Sequence, residues 1–154
     1  MLATALTNVV QRHKDIAEAL INASEVEVTI TTEVLRNTPL TGGSMFADLD
    51  NAVETEVKGP VKTIWIDADS ARAGAVSREV NLLTRFLTAT VVAKFWLEDV
   101  LVDTSKPYGQ TYFDKAVTVT MGTHEYEVLG YDRFGLGMTM PYMIAVALRG
   151  THEV

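Results

Sequence analysis

The chain carries three histidines, His13, His124 and His152, and no cysteine. A zinc site on a helix needs two imidazoles about three to five residues apart with a carboxylate beside them. No two of these histidines are spaced that way. His124 and Glu125 are neighbours within Val117–Gly130, "VTVTMGTHEYEVLG". Alternation there predicts two strands around a glycine turn, and adjacent strand residues point to opposite sides. The pair is expected as polar residues on the wet side of a hairpin. Asp67 and Asp69 in "DADSARAG" resemble the start of a calcium loop, but Arg72 stands where that loop needs its central glycine. They are expected as strand-end aspartates leading into a loop. "TPLTGGS" has the glycines of a phosphate cradle without the Lys-Ser/Thr that should follow, so a loop is expected there too. No Ser-His-Asp order singles itself out. No catalytic residue, metal ligand or cofactor is assigned.

Arg72, Arg78 and Arg85 supply the one local basic bias. Such arginines either stay solvated or meet carboxylates on a neighbouring subunit. Acidic residues number 20 against 13 basic, a net charge of −7. That balance is opposite to the basic surface of a free-standing nucleic-acid binder. The first twenty residues lack the basic start and apolar core of a signal peptide. No apolar run approaches the roughly 18 residues of a membrane span. A soluble cytoplasmic chain without membrane contact is expected.

The elements that must position these side chains follow from periodicity. Leu2, Leu6, Val9, Val10, Ile16, Ala17, Leu20 and Ile21 recur as one face of a helix over residues 1–23. His13 falls at the edge of that stripe. "SEVEVTITTEV" then alternates with period two, and "VKTIWID", "LTATVVAKFWL", "KAVTVTM", "HEYEVLGY" and "PYMIAVALRG" give further strands. Gly122 is placed at the first central position of a two-residue turn. Residues 36–60 and 67–87 are expected as long loops, with a helical turn near Phe46 to Val53 and another around Val80 to Leu87. The 154 residues make a single domain, mainly β with an N-terminal α-helix. Its body, residues 25–150, is a small antiparallel β-barrel or sandwich of about six strands. Phe95 and Trp96 are adjacent, so one ring must be covered by something other than the main core. Trp65, Phe95 and Trp96, together with Met143, Ala145 and Ala147, are expected to be covered by a subunit interface.

This order of elements resembles the head–tail joining proteins of long-tailed bacteriophages, the head-closure or stopper proteins. The resemblance rests on the helix before a threonine-rich strand, "VKTIWID" before a long insertion, "AKFWLEDV", the hairpin "FDKAVTVTMGTHEYEVLGYDRF" and the closing "YMIAVALRG". It spans nearly the whole chain, which departs from it by longer linkers between the first three strands. It implies a virion neck protein, assembled in the host cytoplasm as a homo-oligomeric ring of six. The ring would sit between the portal or adaptor protein and the tail. It would close the DNA channel after packaging, offer the tail a docking surface and let double-stranded DNA pass without reading its sequence. Either Asn37–Lys58 or Ala68–Arg85, with its three arginines, is expected to gate the channel, the second being favoured. The same plan would serve a tail terminator, tail tube or capsid decoration protein. A small enzyme or ligand-binding barrel is the remaining alternative, and it would bring Asp67, Asp69 and His124 into one dry cleft.

Overall fold

A computed structural model describes residues 2–35, 53–73, 78–114, 117–135 and 140–153. An N-terminal helix, α1 (Leu2–Asn22), precedes β1 (Glu27–Leu35), β2 (Val53–Lys62) and β3 (Ile64–Asp67). Two short helices follow, α2 (Ala68–Ala73) and α3 (Arg78–Arg85), then β4 (Val91–Trp96) and α4 (Leu97–Val100). A 3-10 turn (Tyr112–Asp114) leads to β5 (Val117–Met121), β6 (His124–Phe134) and β7 (Met143–Glu153). The chain is mainly β with an N-terminal helix. Its seven strands form one curled antiparallel half-barrel in the order β2-β1-β5-β6-β7-β4-β3.

The expected "VKTIWID" strand is in fact two. β2 and β3 lie at opposite edges of the sheet, yet only Thr63 separates them in sequence. Thr63 is fully buried; its N–H donates to the carbonyl of Val26 at 3.1 Å and its hydroxyl to that of Lys94 at 2.9 Å. Val26 leads into β1 and Lys94 lies in β4, so one residue ties both ends of the curl together. The sheet can then bury its concave face without a second layer.

That face holds Val28, Ile30, Phe95, Val119, Ile144, Val146 and Leu148, all almost fully buried. Phe95 packs on Phe113 with ring centroids 5.2 Å apart. It is sealed inside the barrel and presents nothing to a neighbouring subunit, contrary to the interface expected for it. Alternation puts Trp96 on the convex side, where it meets Tyr142 instead.

The convex face is also covered from within the chain. Within residues 67–87, expected as a long loop with a helical turn around Val80 to Leu87, Ala68–Ala73 and Arg78–Arg85 fold as α2 and α3 against it. The expected turn is α3, and the first part is also helical. Leu82 and Leu83 seat on Ala145, Ala147 and Val92, while Met143 packs with Ile21 of α1. These small and flexible residues needed a cover, and α1, α2 and α3 supply it. The expected loop 36–60 is strand from Val53 onward; its remainder, including the helical turn expected near Phe46, lies outside the described residues.

Local signals held at the hairpin. Met121 pairs with His124, and Gly122 adopts φ +62°, the left-handed region that this two-residue turn requires. β6 carries bulges between Glu125 and Tyr126 and between Val128 and Gly130, which bend it around the curl.

Candidate interaction surface

α1 has two apolar stripes, and among the described residues one of them packs on the body. Val10, Lys14, Ala17 and Ile21 form the packed stripe, ending in Ile21, which is 1% exposed among Tyr142, Met143 and Trp96. His13 Nδ1 meets the Tyr142 hydroxyl, and Lys14 Nζ stands 5.5 Å over the Tyr142 ring. Trp96 lies 5.7 Å from the other side of that contact set, centroid to centroid with Tyr142. At the helix C-terminus Lys62 Nζ donates to the carbonyl of Asn22 at 2.8 Å, a cation where the helix dipole is negative. Ser24 Oγ donates to the carbonyl of Thr63 at 2.6 Å, fastening the helix exit to the barrel closure.

The second stripe is Val9, Ile16 and Leu20, exposed by 56%, 55% and 58%. At ~100° per residue it lies roughly 110° round the helix from the packed stripe. It borders a cleft of about 580 Å³ beside Ala5, Asn8, Arg12 and His13. Covering each of these side chains would contribute roughly 1 kcal/mol. An apolar stripe left in water along a helix is a surface for another protein.

Next to the root of α1 lies a second cleft, of about 180 Å³, lined by Lys14, Trp96, Glu98, Leu101, Met140 and Pro141 among others. Met140 is 55% exposed on its rim. The adjoining surface is acidic. The Asp99 carboxyl is held above the usual carboxylate range, first by desolvation and then by the nearby charges of Glu98 and Glu18, with Lys58 opposing.

The residues singled out in the sequence are not gathered into one site. Trp65 is half-buried on the concave side, edge-on to Tyr126 at 4.9 Å, and packs against the core. Arg72 donates to the carbonyls of Leu87 and Ala89 and pairs with Asp69 at 3.5 Å, fixing the turn after α3. Arg85 pairs with Asp132 within the chain, so its carboxylate is not a neighbour's. Arg78 opens α3, and its side chain lies outside the described residues. Asp67 accepts from the N–H and hydroxyl of Ser70 at the start of α2. His124 opens β6, with β7 and β4 between that strand and β3, so Asp67 and His124 share no cleft. Among the described residues no cluster of His, Asp and Glu is arranged to hold a metal ion.

One polar network was not anticipated. Asp114 accepts from the N–H of Thr111 at 2.7 Å and from the Tyr131 hydroxyl, and it lies 3.9 Å from Arg133. Arg133 also donates to the carbonyls of Pro107 and Gly109 at 2.8 and 2.5 Å. The connector between α4 and β5 is thereby pinned to β6. Its sequence sign was "TYFD", the Thr-x-x-acid spacing of a reciprocal cap: Thr111 Oγ1 also accepts from the N–H of Phe113.

No protein-family model, curated protein or solved structure matches this chain.

Proposed function

We propose that this chain is a structural subunit of a bacteriophage neck. It builds a ring between the portal-side adaptor and the tail, closes the DNA channel after packaging and gives the tail its docking surface. The observation that carries the reading is α1: a 21-residue helix fastened along one stripe while Val9, Ile16 and Leu20 face outward. A subunit of a closed ring needs such a surface, because each copy must offer a neighbour something that its own fold does not consume. The order of elements, similar to head-closure proteins, supports the same reading. So does the net charge of −7, since an acidic wall lets a duplex slide where a basic one would hold it.

Two supports expected from the sequence are withdrawn. The convex face is covered by the chain's own helices, and Ala68–Arg85 is not proposed as the gate, because Leu82 and Leu83 anchor it in the core. The ring's contacts are assigned to α1.

The test is the position of the chain in phage particles, read by electron microscopy with an antibody or tag. Labelling at the head–tail junction, and filled heads that leak DNA and bind no tail when the chain is omitted, are expected. Label along the tail tube or over the capsid, or particles without the chain that remain tailed and infectious, would overturn the proposal.

A further inference from the structure

The cleft beside Trp96 is small. At about 180 Å³ it falls below the roughly 300 Å³ at which small-molecule sites begin, and its size suits one or two aliphatic side chains. The α1 of the same chain cannot fill it. Lys14 of the packed stripe already forms part of its wall, and Val9, Ile16 and Leu20 point roughly 110° away around the helix. Each subunit therefore holds an apolar ridge and an apolar recess that do not meet in that subunit.

One charge pair is available. Glu98 lines the recess with Lys14, and the Glu98 and Glu18 charges reach the neighbouring Asp99, beside which Lys58 and Lys62 line a separate cleft. Arg12 borders the outward stripe, roughly 60° round the helix from it. A helix arriving with its stripe in the recess brings this guanidinium toward the carboxylates.

We infer that the Val9–Ile16–Leu20 stripe of α1 docks across the recess of a second copy of this chain, one or two of its side chains entering between Trp96, Leu101 and Met140, with Arg12 facing Glu98. The contact joins two different patches, so it is heterologous and runs head to tail: it closes into a ring when its rotation divides a full turn. This rests on reading the chain as an assembly subunit and names the surfaces it uses.

The experiment is sedimentation equilibrium of the full chain, taken to its solubility limit, for the wild type, Ile16→Glu, Met140→Glu and an equimolar mixture of the two variants. The wild type is expected to associate, and each variant alone to lose about tenfold or more in association constant. The mixture is expected to recover a dimer, because one intact helix and one intact recess remain. Both positions are more than half exposed, so thermal melts should match the wild type, with Leu20→Glu as a second helix variant. Unimpaired association of Met140→Glu would mean that helices pair with each other and would overturn the inference. So would a mixture that stays monomeric, or a wild type that never associates. The neck reading is judged separately on particles: label at the junction with a monomeric chain in solution would overturn this contact alone.

Discussion

The Thr63 hydroxyl donates to the carbonyl of Lys94 at 2.9 Å, joining the point where the chain leaves β2 to β4, the strand next to the other edge of the sheet. Both groups lie where water does not reach Thr63. Replacing Thr63 by the near-isosteric valine removes this hydroxyl hydrogen bond from a site shut off from water. Thr63→Val should lower unfolding free energy by about 1–3 kcal/mol, read as a lower urea midpoint with an unchanged slope.

Gly130 leaves room for a ring. A Cβ at that position would stand 2.2 Å from Cζ of Phe86, which packs there in the cluster of Leu82 and Leu83. Gly130→Ala must displace the ring and should cost about 1–3 kcal/mol. In a Phe86→Leu background the same substitution should cost measurably less, since its obstacle is gone; a double-mutant cycle reads the coupling.

The two stripes of α1 should respond oppositely to substitution. Ile21, 1% exposed, should lose about 2–5 kcal/mol as Ile21→Ala. Ile16, 55% exposed, should change chain stability by no more than about 0.5 kcal/mol as Ile16→Ser under dilute conditions. Urea titrations of both variants at low protein concentration decide the point.

Asp99 gives a pH signature. Its carboxyl is raised in the folded chain by desolvation and by Glu98 and Glu18, so folding opposes its ionisation. The ionised form therefore destabilises the fold above the folded-state value, and the penalty disappears once pH falls below the ordinary value of 3.8. Asp99→Asn should be more stable than the wild type at neutral pH, and the difference should close on acidification. Urea midpoints at neutral pH and below pH 3.8 measure it.

What the sequence determined by itself was local. The apolar recurrence from Leu2 to Ile21 set α1, alternation set the strands, and Gly122 set the hairpin, because each depends on residues a few positions apart. Adjacency of Phe95 and Trp96 required their rings to part, and they do. Tertiary structure alone decided what covers each face. The apolar pattern around Val80–Leu87 marked a helix without saying that Leu82 and Leu83 would seat on Ala145 and Ala147. Nor could "VKTIWID" reveal that Thr63 breaks it into strands at opposite edges, since that follows from curl and register across the whole sheet. The candidate surface was half legible: periodicity marked α1 as amphipathic, but its apolar stripe is wider than the seat beneath it. Which part stays in water was fixed by where Tyr142 and Met143 meet the helix, a contact between the two ends of the chain.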